Sequence, residues 1–297
     1  MGKPLFTGVC TALVTPFINN KVNFPLLDRL IQRQIDAQIP AIVLAGTTGE
    51  SPVLSDLEKL EIFERGKSVA GSSCLIIAGT GSNSTEHAIA LSKAAEAVGA
   101  DALLIVAPYY NKGNHDSLYR HFAAIANAVN IPIILYNVPS RTGIDIPVTV
   151  YQKLSKIPNI VGVKEASNDI TKIAKIRNTC GNDFTIWSGN DDQTVPVISM
   201  GGKGIISVLS NLYPEETNVM VQSALHGDYI TASKIQCGYM ELIDLLFNEA
   251  NPIPVKYAMK YTGFDCGDCR LPLGAPSSEL AQKIDIYFHQ TSEYSRI

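Results

Sequence analysis

The sequence predicts an α/β fold, a (β/α)8 barrel of the TIM-barrel type followed by a helical C-terminal extension. Eight short apolar or β-branched runs recur between residues 8 and 210. Segments with apolar residues at i, i+3 and i+4 separate them, so strand and amphipathic helix alternate. The runs are apolar on both faces, as a parallel sheet covered by helices requires, and eight units in about 225 residues fit a closed barrel better than an open sheet. No G-x-G-x-x-G follows the first run, which argues against a dinucleotide-binding sheet.

The runs, in order, are "GVCTALVT" (8–15), "AIVLAG" (41–46), "CLIIAG" (74–79), "ALLIVA" (102–107), "IPIILYN" (131–137), "NIVGVKEA" (159–166), "DFTIWSG" (183–189) and "KGIISVLS" (203–210). Helical patterns such as "LLDRLIQRQIDAQ" after the first and "STEHAIALSKAAEAVGA" after the third connect them. Residues 1–225 are therefore assigned to the barrel. Three further helical patterns, "DYITASKIQCGYMELIDLLFNEA", "IPVKYAMKYTG" and "SSELAQKIDIYFHQTSEY", follow without intervening strands and assign 226–297 to a helical extension. No Pro, Gly or Ser linker precedes it, so it is expected to pack on the barrel.

Composition narrows the function. The chain has 297 residues, 46% hydrophobic and 18% charged, with a formal net charge of −4 and no Lys/Arg run, which disfavours nucleic-acid and membrane-surface binding and points to small-molecule chemistry. No stretch reaches the length of a membrane span, and "MGKPLFTGVC" lacks a signal-peptide core, so a cytoplasmic location is expected. Cys266 and Cys269 form a C-x-x-C, yet no second ligand pair accompanies them; they read as ordinary thiols, and no metal is expected.

In such a barrel the reactive groups sit at the C-terminal ends of strands and in the loops that follow. Lys164 ends the sixth run and Tyr136 the fifth; Thr47 and Thr48, in "AGTTGES", follow the second; Tyr109 and Tyr110, in "APYYNKG", follow the fourth. If Lys164 points inward, the period of two turns Ile160 and Gly162 inward as well and sends Val161, Val163 and Glu165 outward, so Glu165 is not its ion-pair partner. Gly162 then either leaves space below the lysine or marks close packing.

Lys164 itself is either a strand end reaching water or a deprotonated amine. A lysine of pKa about 10.4 is a poor nucleophile at neutral pH, whereas desolvation lowers that value by as much as about 3–5 units and makes a Schiff-base former. Tyr136, on the neighbouring strand, is either a proton shuttle for carbinolamine chemistry or a half-buried core tyrosine. "GTTGES" offers hydroxyls and backbone N–H groups suited to a small carboxylate, or is an ordinary βα turn. Arg141, in "NVPSRTG", is either a bidentate carboxylate ligand or an exposed loop arginine. Two Gly-rich stretches fail as phosphate sites: "GGKG" (201–204) precedes its strand, and "GTGSNS" (79–84) lacks the P-loop Lys-Ser/Thr.

The motifs "GTTGES", "PYYN", "YNVPSRTG" and "GVKEAS", with "NPIPVK" (251–256) and "RLPL" (270–273), resemble the dihydrodipicolinate synthase family over essentially the whole chain. That family lies in the pyruvate-dependent class I aldolase superfamily, which includes N-acetylneuraminate lyase. The resemblance implies that Lys164 forms an imine with pyruvate, with no other cofactor, and that the enamine attacks L-aspartate 4-semialdehyde before ring closure in the diaminopimelate route to lysine. It implies a proton relay of Tyr136, Thr47 and Tyr110, the last donated by a second subunit of a homodimer or homotetramer. Thr48, Gly189 and Ile206 match pyruvate-pocket positions, and Arg141 matches the arginine holding the semialdehyde carboxylate. The related lyases typically read "GSTGE" and lack that arginine, so the synthase reading is favoured over a sugar-acid aldolase. Lysine-inhibited members bind lysine through residues matching Ser51, Asn83 and Tyr109. Here His87 replaces an acid and Lys59 a histidine, so weak or absent lysine feedback is expected. Cys269 replaces a usual leucine, a change expected to be neutral.

Overall fold

The computed structural model describes residues 4–294. Eight parallel strands close into a barrel: β1 (Gly8–Ala12), β2 (Ala41–Leu44), β3 (Leu75–Gly79), β4 (Ala102–Val106), β5 (Ile133–Asn137), β6 (Ile160–Glu165), β7 (Thr185–Ser188) and β8 (Gly204–Ser207). Each pairs with its neighbours in sequence, and β8 returns to β1. All eight predicted runs are strands, although the first and last are shorter than their apolar stretches. Val14 N–H leaves the ladder for Asn211 Oδ1 at 3.1 Å, and Val208 N–H donates to Asp191 Oδ2 at 2.9 Å. Side-chain acceptors thus end both strands while the apolar run continues.

Alternation along the strands builds two layers. Cys10, Ala41, Val43, Ile77, Leu104, Ile134, Tyr136, Trp187 and Ile206 fill the barrel, while Ile42, Leu44, Ile76, Leu103, Ile105, Leu135, Val163 and Ile186 face the helices. Phe6, just ahead of β1, stacks on Trp187 with centroids 4.7 Å apart. The inward alternation predicted for β6 fails at its first two residues. Ile160 belongs to the outer layer and Val161 packs against the inner one, because a register shift opposite Ile133 and Ile134 inserts an extra residue there. From Gly162 onward the predicted alternation holds.

Beyond the last barrel helix, Pro214–Leu225, lie helices Tyr229–Gly238, Met240–Phe247, Ile253–Met259 and Ser278–Tyr294. The first of the three predicted patterns is two helices, which meet at Tyr239 directly after Gly238, a residue of weak helix propensity. Leu242, Leu246, Val255, Met259 and Ile284 join the same core as the outer barrel layer. The extension and the barrel therefore share one hydrophobic core. No helix among the described residues is long and apolar enough to cross a membrane.

Candidate active site

The C-terminal ends of β5 and β6 set Tyr136 directly beside Lys164 in the ladder. Both are buried, 6% and 5% exposed, and Lys164 Nζ lies 4.5 Å from the centroid of the Tyr136 ring. An ammonium over a phenol face gains a modest cation–π attraction. Among the described residues no carboxylate pairs with Lys164, and Glu165 faces the other way. Gly162 marks close packing rather than spare room: a Cβ there would come within 2.1 Å of the Thr185 carbonyl oxygen. Space around the lysine comes from Gly189, where a Cβ would fall 3.2 Å from Lys164 Cε and 2.7 Å from Ala166 Cβ.

A cavity of about 550 Å3 opens over this pair, lined by Thr48, Tyr136, Arg141, Lys164, Gly189 and Asn251 among others. Thr48 is held by the turn after β2, in which Ala45 and Glu50 adopt left-handed backbone at φ 48° and 59°. Ser51 N–H closes the turn on Gly46 O at 3.2 Å, and Thr15 Oγ1 donates to Gly49 O at 2.8 Å. Arg141 lies in the helical turn Pro139–Thr142 and donates to Asn251 O at 3.1 Å.

Asn251, to which the sequence reading gave no role, links the two carboxylate candidates. Its Nδ2 donates to Thr48 Oγ1 at 2.9 Å while its carbonyl holds Arg141. Five residues on, Lys256 Nζ reaches Glu50 Oε1 at 2.8 Å in an ion pair 2% and 0% exposed. Arg270 N–H donates to Glu50 Oε2 at 2.8 Å, and the Arg270 guanidinium engages Glu58. The motifs "NPIPVK" and "RLPL" thus clasp the threonine turn from outside. Asp191 was also missed; it is buried, accepts from Ser207 Oγ, and its carboxyl is pushed up by burial despite those bonds.

A second cavity of about 280 Å3 adjoins the first through Tyr136 and Arg141 and is lined by Thr47, Ser51, Lys59, Ser82, His87 and Tyr109. Thr47 and Thr48 therefore face different cavities. Asn83 does not line it; its carbonyl accepts from Asn111 Nδ2 at 2.9 Å. Asp56 lies 2.8 Å from His87 Nε2 and 3.7 Å from Lys59 Nζ, and burial holds the Lys59 ammonium below its usual range. Two further predicted residues stand apart. Ile206 packs inside the barrel with Cys10 and Trp187 and lines neither cavity, and Tyr110 is 89% exposed with a left-handed φ of 72°. Burial pushes the thiols of Cys266 and Cys269 up to about 12, as suits packed rather than reactive cysteines.

Known proteins resemble this chain along nearly its whole length. The profile of the Dihydrodipicolinate synthetase family matches residues 5–290. A 4-hydroxy-tetrahydrodipicolinate synthase from Clostridium perfringens is 47% identical over 269 residues, covering 91% of this chain and 92% of its own. The solved 4-hydroxy-tetrahydrodipicolinate synthase of Methylacidiphilum fumariolicum SolV superposes with a TM-score of 0.95 at 39% identity, covering 97% of this chain and 96% of that one. The Cyanidioschyzon merolae enzyme, solved with lysine bound, gives 0.92 at 41% identity over 96% and 97%. With a closed eight-stranded barrel, a buried lysine at its mouth and likeness along nearly its whole length, the chain belongs to the dihydrodipicolinate synthetase family.

Proposed function

We propose that this protein condenses pyruvate, held as an imine on Lys164, with L-aspartate 4-semialdehyde to give 4-hydroxy-tetrahydrodipicolinate in the diaminopimelate route to lysine. The observation that carries this reading is the buried Lys164 amine on the Tyr136 ring, without a carboxylate partner, in a cavity that also holds Thr48 and Arg141. A carboxylate partner would favour the charged amine and oppose attack. Lys164 Nζ adds to the pyruvate carbonyl, and water leaves after a proton reaches the carbinolamine oxygen. Tyr136 is the donor nearest that reaction, with Thr47 beside it on the adjoining cavity. Thr48 and the turn N–H groups take the pyruvate carboxylate, Gly189 leaves it room, and Arg141 takes the carboxylate of the aldehyde. Loss of a proton from the methyl carbon gives the enamine, which forms the new bond to the aldehyde carbon as the aldehyde oxygen takes a proton. The amine of the semialdehyde then adds to the regenerated imine carbon, closing the ring and releasing Lys164 as the free amine. No other cofactor is required.

Tyr110 enters this scheme from a second copy. Its own chain leaves it exposed, while the cavity beside Thr47 and Tyr136 has room for an incoming phenol. Mixed oligomers of Tyr110→Phe and Lys164→Ala chains should therefore regain activity that neither shows alone. The Asp56–His87–Lys59 cluster offers lysine's ammonium a competing ammonium, Lys59, and one carboxylate that is already engaged. Sub-millimolar inhibition by lysine would contradict this reading.

The deciding experiment is incubation with pyruvate, borohydride reduction and intact-mass measurement. One reduced pyruvate adduct per chain is expected on the native protein and none on Lys164→Ala. An unmodified native chain, or an adduct on the variant, sinks the Schiff-base assignment. Pyruvate consumption with L-aspartate semialdehyde, against N-acetylmannosamine as the alternative aldehyde, then fixes the second substrate.

A further inference from the structure

The residues that follow Tyr136 and Lys164 are Asn137 and Glu165, and they are as buried as the residues they follow, 0% and 3% exposed. Alternation turns them to the outer face of the barrel, where Asn137 Nδ2 donates to Glu165 Oε1 at 2.8 Å. The same carboxylate accepts from Ser167 N–H at 3.0 Å and Tyr151 OH at 2.9 Å, with Lys172 Nζ 3.7 Å away. Asn137 also donates to Asp145 Oδ1 at 2.7 Å and accepts from Ile146 N–H at 3.0 Å. Burial and the nearby Glu165 charge push the Tyr151 phenol up, so it stays a donor. Every polar atom of the two side chains is engaged.

Such a bond is unusual in its placing. The β5–β6 ladder shifts register at Ile133 and Ile134, so regular pairing from the base of the barrel does not by itself set the height of Lys164 against Tyr136. Above the shift, Tyr136 pairs with Lys164 and Asn137 with Glu165. We propose that the Asn137–Glu165 bond is a lock on the outer wall that fixes Lys164 against Tyr136 on the inner wall, making Asn137 and Glu165 positioning residues for imine formation. Each catalytic residue is then followed in sequence by half of its own lock. This rests on the Schiff-base reading above.

The experiment measures the single-turnover rate of pyruvate trapping by borohydride, as a function of pyruvate concentration, together with thermal melting. Asn137→Ala should slow trapping at saturating pyruvate by at least about tenfold, because a misplacement of ~1 Å costs up to about 100-fold. Half-saturation by pyruvate should stay within about twofold, since the Thr48 turn is untouched. Glu165→Gln keeps the volume but offers one acceptor oxygen where the network uses two, and should fall between the native chain and Asn137→Ala. It also decides the matter if Asn137→Ala does not fold. Ile284→Ala, buried in the last helix, which lines neither cavity, controls for stability alone: it should melt lower and trap at the native rate. The lock is refuted if the folded variants trap as fast as the native chain, or if they slow no more than Ile284→Ala. A native chain that takes up no pyruvate overturns the Schiff-base reading and this one together.

Discussion

The cavity over Lys164 and Tyr136 has two walls of opposite construction. One is local: Tyr136, Lys164 and Gly189 stand at or just beyond the ends of three successive strands, brought side by side by parallel pairing above the β5–β6 register shift. The other is assembled across the chain. Thr48 and Glu50 meet Asn251, Lys256 and Arg270, some 200 residues later, through buried hydrogen bonds and one ion pair. The strand wall carries the proposed nucleophile, Lys164, with no carboxylate paired to it among the described residues, whereas the assembled wall holds its turn with a buried ion pair. The difference fits the proposed chemistry: pairing strengthens a support but would oppose attack by an amine.

That contrast is open to direct attack. The largest effect is expected from Lys256→Met, which leaves Glu50 buried without its cation and should cost about 3–5 kcal/mol of stability. Urea unfolding measures it, and adding Glu50→Gln should restore a good part of the loss. A Lys256→Met chain with unchanged stability would mean that the assembled wall is held by packing alone.

Arg141→Ala comes next. Losing charge-assisted hydrogen bonds worth about 2 kcal/mol should lower kcat/KM for the semialdehyde about 30-fold. Pyruvate trapping should barely change, because the substitution leaves Lys164, Tyr136 and Thr48 in the cavity. Equal losses in both assays would place Arg141 on the pyruvate carboxylate instead.

The smallest effect concerns acid. The Arg270 guanidinium beside Glu58 holds its carboxyl down at about 2, against an ordinary value of 4.5. Since the folded value lies below the unfolded one, this contribution is complete above pH 4.5 and disappears as the pH falls toward 2. Between those limits the melting temperature of the native chain should fall more steeply than that of Glu58→Gln. Parallel curves would show that the Arg270 bridge adds nothing measurable, as many partly exposed pairs do.

Much of the strand wall is legible in the sequence. Short runs apolar on both faces mark β5 and β6, and the barrel rule sends attention to Tyr136 and Lys164 at their ends. Parity alone removes Glu165 from the lysine's side of the sheet. It fails only at Ile160 and Val161, where the inserted residue leaves no local signal, since both side chains are equally apolar. The partner of the outward Glu165, Asn137, likewise carries no mark of its role. Asn251 could have been suspected from "NPIPVK", a polar residue opening an otherwise apolar segment, yet nothing nearby in sequence names Thr48 or Arg141 as its contacts.

By itself the sequence determined the barrel, the inward lysine and tyrosine, and the family to which the chain belongs. Those depend on alternation and on motifs a few residues long, which strand geometry converts directly into position. Tertiary structure alone decided that Thr47 and Thr48 line different cavities, that Asp56 already engages His87 and Lys59, and that Glu50 is clasped by Lys256. Those are contacts between segments distant in the chain. A charge pattern lists the candidates for such pairs, but burial and direction, which only packing supplies, choose among them.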